Sequence, residues 1–160
     1  LIQKYLERPL LLRGRKFDIR LFVLVLERFG GVEGWMFEEG YVRTAGRKFG
    51  FVATKGRGVT HDAVHNTSSL AQQPSRYFGA FEPNNVLTFD ETEDLLAFSS
   101  DPPPPPNVLR SVILPAAKQS ITDAILAATK QAALERRGVA SFGIMEAGIV
   151  VDEDYRPWLL

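Results

Sequence analysis

The chain has 160 residues, 45% of them hydrophobic and 24% charged, with 19 Lys/Arg balanced by 19 Asp/Glu and no cysteine. A chain of this length can bury roughly 70% of its unfolded surface in one domain. Lack of cysteine excludes a disulfide framework and a thiolate metal site, and no apolar run reaches the roughly 20 residues of a membrane-spanning helix. No signal peptide is legible and nothing points to secretion.

The zero net charge hides an asymmetry: residues 1–60 hold 12 Lys/Arg against 6 Asp/Glu, and residues 61–160 hold 7 against 13. A basic first half suits phosphates or an acidic protein tail. It equally suits two halves that dock on each other.

Taken in chain order, residues 1–7 read as a short strand closed by Arg8-Pro9, since proline supplies no ladder donor. Residues 17–28 form the strongest strand, Gly30-Gly31 a turn, and Val32–Glu38 its hairpin partner. Glu39-Gly40 interrupts before a short strand at Tyr41–Thr44, and residues 45–75 read as a long irregular loop. Residues 90–98 predict a short helix with acidic residues in its first turn. Pro102–Pro106 must be a stiff polyproline II spacer, and the surface insertion at 101–107 carries it. From Val108 to about Arg137 a long helix is expected, broken at Pro115, with Ile121, Ile125, Ala128, Ala132 and Ala133 on one apolar stripe. Ala140–Ala147, Gly148–Val151 and Arg156–Leu160 read as strands with a turn at Asp152–Asp154. The order is that of an α+β domain without internal repeats.

Chemistry concentrates near the start. By strand alternation Phe17, Ile19 and Leu21 share one face while Lys16, Asp18 and Arg20 share the other. Such a +/−/+ strip suits a nucleotide; it also suits a solvated sheet face laced with cross-strand ion pairs. Nucleic acid is disfavoured, because the cations alternate with carboxylates and exposed interleaved aromatics are missing.

The block Gln3-Lys4-Tyr5-Leu6-Glu7, Pro9-Leu10-Leu11 and Gly14-Arg15-Lys16-Phe17-Asp18-Ile19-Arg20, followed by a hydrophobic strand, resembles the signature of the tubulin–tyrosine ligase-like family of ATP-grasp amino-acid ligases. The resemblance implies an ATP-grasp-like α+β fold, an antiparallel or mixed sheet with packed helices, of which residues 1–160 would be the C-terminal part. It implies that Gln3, Lys4, Tyr5 and Leu6 meet the adenine edge, that Lys16 serves phosphate, and that Asp18 serves ribose hydroxyls. Arg20 would add charge near the transferring phosphate. Glu39-Gly40-Tyr41-Val42-Arg43-Thr44-Ala45 resembles the next block, in which Arg43 holds the incoming amino acid or the acceptor tail. The alternative there is a surface arginine paired with Glu39.

A looser match, Ala63-Val64-His65-Asn66-Thr67-Ser68, places His65 and Asn66 toward ATP and Ser68 toward substrate. In the closing block the family's metal-binding Asp position is Gly148, and the following Glu-x-Asn would fall beyond Leu160. No metal ligand is therefore assigned within this chain; Mg²⁺ ligands are expected outside it, with Glu146, on the face of Gly148, a weak substitute.

The resemblance further implies ATP-dependent ligation of an amino acid onto tubulin, glutamate ahead of tyrosine or glycine. The partners are then a free amino acid and acidic tubulin or microtubule tails, without nucleic acid or membrane. The setting would be the cytoplasm, cytoskeleton or cilium, and the isolated piece is expected to lack ligase activity. The alternative is a nucleotide-binding pseudoenzyme or tubulin-binding module without turnover.

Overall fold

A computed structural model describes residues 5–28, 31–50, 64–99, 103–132 and 141–160, the side chains of 130–132 excepted. Its frame is a long strand, β2, at Arg15–Arg28, whose neighbours are all antiparallel. Before it lies β1 (Leu11–Leu12), and after it come β3 (Gly31–Met36) and β4 (Tyr41–Lys48). The short helix α1 (Ser69–Gln72) and strand β5 (Val86–Leu87) follow, then α2 (Phe89–Leu96), α3 (Leu114–Ala132), β6 (Ser141–Val151) and β7 (Pro157–Leu159). These strands form one seven-stranded sheet of order β5-β4-β2-β6-β7, with β1 and β3 also on β2. It is an α+β arrangement consistent with part of an ATP-grasp-like fold.

Alternation along β2 sets the two faces. Phe17, Ile19, Leu21 and Val23 are buried in a core with Val42, Ile149, Leu109, Ile113 and Ile121, so α3 and the turn before it cover that side. Lys16, Asp18 and Arg20 consequently stand on the opposite face. The capping box at Thr88 and Glu91 fixes the start of α2 by satisfying two end amides reciprocally.

Several boundaries differ from the sequence expectation. Tyr5–Glu7 belong to no strand, and residues 1–4, with the expected Gln3 and Lys4 contacts, lie outside the described residues. The N-terminal ladder instead begins at β1, joined to β2 through Arg13-Gly14, both left-handed at φ 50° and 76°. That two-residue left-handed turn matches the twist of a tight hairpin. β4 continues four residues past Thr44 to Lys48, and α1 shortens the expected 45–75 loop further, while 51–63 lie outside the described residues.

The expected break at Pro115 is not a break. A π-helical turn at Leu109–Ile113 leads into α3, with the Leu114 amide donating to the Leu109 carbonyl. This wider turn absorbs the i−4 bond and the steric room that a proline ring removes. The stripe residue Ala133 and the expected helix stop at 136–138 lie outside the described residues. β6 runs unbroken through Ala147-Gly148, where two strands were expected.

Candidate functional site

β2, β4 and β6 bring the charged strip together. Register pairs Asp18 with Arg43 and Arg20 with both Tyr41 and Gly148. The Arg43 guanidinium donates to Asp18 from Nε (3.1 Å) and Nη2 (3.0 Å), and Arg20 Nε donates to Asp18 Oδ2 at 2.5 Å. Arg20 Nη1 then reaches Glu146 Oε1 at 2.9 Å, and the Tyr41 hydroxyl donates to Glu146 Oε2 at 3.3 Å. The alternative partner for Arg43, Glu39, is held by Arg110 at 3.0 Å instead.

Asp18 is 1% exposed, and its carboxyl titrates above the usual carboxylate range because burial disfavours the charge. The Thr67 hydroxyl and the Arg20 and Lys16 charges pull it partly back. Thr67 was not among the expected site residues, though it lies between two that were. The Tyr41 hydroxyl is pushed up, chiefly by burial and then by Glu146.

Lys16 differs from both arginines. It is 9% exposed, and its ammonium donates to the Tyr5 hydroxyl at 3.3 Å and lies 4.6 Å from the Tyr5 ring centroid. It has no ion pair within 4.0 Å among the described residues. Burial lowers its pKa, with the Asp18 charge opposing. Tyr5 is in turn hydrogen-bonded to His65 Nδ1 at 2.9 Å, and His65 packs edge-on to Tyr5 and Phe49. Tyr5, Lys16 and His65 thus form one group with Asp18.

The remaining expected residues are placed differently. Asn66 Oδ1 accepts from the Ser68 amide at 2.8 Å, closing a local turn, and Ser68 precedes α1 without a side-chain cap bond. No described hydrogen bond joins Asn66 or Ser68 to Arg20 or Arg43. Leu6 lines a cavity of about 340 Å³ with Tyr5, Arg8, Asp152 and Trp158. A larger groove of about 580 Å³ lies between α3 and β2/β6, lined mainly by apolar residues such as Val23, Ile121, Ile125 and Leu159. It opens mainly on the core side of the sheet and touches the ionic strip at Glu146.

These residues do not compose a Mg²⁺ site. Asp18 is engaged by two arginines and Glu146 by Arg20 and Tyr41. Gly148 contributes no ligand, and a Cβ there would meet Arg20 Nη1 at 3.1 Å. No group of three or more metal-ligating side chains occurs among the described residues. Lys16, by contrast, is a nearly buried cation with no ion pair within 4.0 Å among the described residues, on the face that also carries Arg20 and Arg43.

An open antiparallel sheet with helices on one face and this mixed ionic strip on the other defines an α+β protein of ATP-grasp-like architecture. The chain belongs to the Tubulin-tyrosine ligase family, whose model matches residues 1–160. Human Tubulin monoglycylase TTLL3 is 26% identical over 99% of this chain and 19% of its own length. Tubulin glycylase 3D of Tetrahymena thermophila is 28% identical over 100% of this chain and 14% of its own. The Probable tubulin polyglutamylase TTLL9 of Bos taurus is 32% identical over 46% of this chain and 14% of its own. The chain therefore spans less than a fifth of the length of these relatives.

Proposed function

We propose that this chain supplies the nucleotide-facing floor of an ATP-dependent amino-acid ligase that modifies tubulin. The observation that carries the reading is Lys16, a nearly buried ammonium with no described ion pair on the face that also presents Arg20 and Arg43. Desolvating a cation without a partner is unfavourable, and a polyanionic ligand removes the penalty. ATP is the cofactor of this reading, with Tyr5 and Leu6 flanking the base and Lys16 its phosphates. Asp18 is already held by Arg20 and Arg43, so it orders those two guanidiniums rather than waiting for a ribose. Exchange of Asp18 or Glu146 for a ligand carboxylate would let Arg43 or Arg20 hold the amino acid or an acidic tubulin tail.

The expectation of glutamate as the transferred amino acid finds no support in the relatives that span the chain, which are named glycylases. Glycine is accordingly the proposed amino acid, and the cytoskeleton or cilium the proposed setting. Gly148 favours a second reading, a nucleotide-binding module without turnover, because it leaves Arg20 where a metal-ligating carboxylate would have to stand.

Titration with ATP separates these from a purely structural strip. Wild type is expected to bind and Lys16→Met to lose at least tenfold in affinity; equal affinity in both defeats the nucleotide reading. Incubation of the full-length protein with tubulin, ATP and labelled glycine, glutamate or tyrosine then distinguishes a ligase from a binder. Incorporation of glycine alone supports the proposed amino acid, incorporation of glutamate overturns that choice, and ATP binding without any incorporation selects the module.

A further inference from the structure

A second polar cluster lies on the core side of the sheet. Arg15, 1% exposed, forms a bidentate pair with Glu82, and also donates to Thr44 Oγ1 at 3.1 Å and to the Ala45 carbonyl at 3.2 Å. Thr44 Oγ1 donates to Glu82 Oε2 at 3.0 Å. Next to this lies Gln72, also 1% exposed, with both its amide oxygen and its amide nitrogen hydrogen-bonded. Its Oε1 accepts from the Gly46 amide (2.7 Å) and from Asn85 Nδ2 (3.0 Å), while its Nε2 donates to the Thr44 carbonyl (3.1 Å). No buried side-chain nitrogen or oxygen among the described residues lacks a partner.

Gln72 closes α1, and its own amide donates to the Ser68 carbonyl at 3.1 Å. Upstream on the same short segment, the Ser68 amide is tied to Asn66, Thr67 faces Asp18, and His65 holds Tyr5 against Lys16. One side chain thus staples to β4 the segment that reaches over to the ionic strip.

We propose that Gln72 is a positioning residue for the candidate nucleotide site: its three hydrogen bonds to β4 and Asn85 fix the segment from His65 to Ser68, and so hold His65 on Tyr5 above Lys16. The functional half of this inference rests on the nucleotide reading above. Apolar residues fill such positions in an ordinary core; a buried amide bonded at both its oxygen and its nitrogen instead specifies one geometry, because any displacement leaves polar groups buried and unpaired.

The test compares three variants of the 160-residue chain at a temperature where each is folded by circular dichroism. Gln72→Met keeps volume and removes all three bonds. Asn85→Gly removes one of them and keeps the left-handed backbone there (φ 55°), so it remains measurable should Gln72→Met fail to fold. Ile121→Ala, on the core-facing side of α3, serves as a destabilised control. In the Gln72 and Asn85 variants the ring-shifted proton resonances of His65 are expected to move toward exposed values and ATP affinity to fall, at least tenfold for Gln72→Met and about threefold for Asn85→Gly. Ile121→Ala is expected to keep both within twofold of wild type. Equal loss in all three variants reduces Gln72 to a stability role and overturns the proposal, as does an unmoved His65. Should wild type bind no nucleotide while His65 moves in the Gln72 and Asn85 variants alone, the nucleotide reading fails and the positioning role stands.

Discussion

At the scale of single residues, the ionic strip treats Lys16, Arg20 and Arg43 differently. Arg20 and Arg43 share Asp18 as planar donors, whereas Lys16 is held by a phenol and a ring face. Its pKa lies below the ordinary 10.5 because burial disfavours the ammonium. A group depressed in the folded state withholds stability at neutral pH and returns it as pH rises through the folded pKa toward the unfolded one. Lys16→Met is therefore expected to melt above wild type at pH 7, with the gap closing as pH approaches 10.5. A scan of melting temperature against pH checks this; a constant gap defeats it. On the proposed nucleotide reading, the same residue also sets the pH dependence of ATP binding. Affinity should fall as pH rises through the lowered Lys16 pKa, with proton uptake on binding in that window. Calorimetry in buffers of different ionisation enthalpy reads the uptake, and Lys16→Arg should abolish it.

At the scale of elements, β2 was legible because strand alternation survives wherever one face is buried, and its apolar and ionic faces are those the pattern gives. Its hairpin with β1 was not, since an arginine at φ 50° carries none of the Asn-Gly signal that marks such turns. Nor was Arg15: it adjoins the ionic strip in sequence, yet alternation sends it to the core side, where its partner is 67 residues away. Of the site, the Asp18–Arg20–Arg43 set followed from periodicity and resemblance. Thr67 and Tyr41 did not, because their roles depend on loops and registers that local sequence does not encode.

The link from β3 to β4 turns on Gly40, where a Cβ would lie 2.1 Å from the Arg20 carbonyl oxygen and 2.9 Å from Phe89 Cζ. Backbone on one side and a core ring on the other leave nothing flexible to yield. Gly40→Ala is expected to destabilise the fold by about 3 kcal/mol through overpacking, read by urea unfolding. Gly148→Ala, which meets only the side-chain end of Arg20 and no backbone, should cost about 1 kcal/mol or less. Equal effects at the two glycines would contradict this packing.

At the scale of the whole molecule, part of the charge asymmetry between the halves is matched by ion pairs that join them. Arg8–Glu153, Arg15–Glu82 and Arg20–Glu146 each join a cation of the first 60 residues to an anion of the last hundred, while Arg110–Glu39 runs the opposite way. These pairs are far from equivalent. The side chains of Arg8 and Glu153 are 78% and 48% exposed, so water and salt screen them; those of Arg15 and Glu82 are 2% and 8% exposed. Glu153→Gln is expected to lower stability by about 0.5 kcal/mol at low ionic strength, and the difference should disappear near 1 M salt. Glu82→Gln leaves a buried guanidinium without its carboxylate, a loss of about 3 kcal/mol that salt cannot restore. For a chain of this size that corresponds to a fall in melting temperature of about 6–12 °C. Melting curves of both variants at two salt concentrations decide the matter. A salt-sensitive Glu82→Gln deficit would mean that solvent reaches the Arg15 pair, and the buried network that anchors the segment beside Lys16 would lose its foundation.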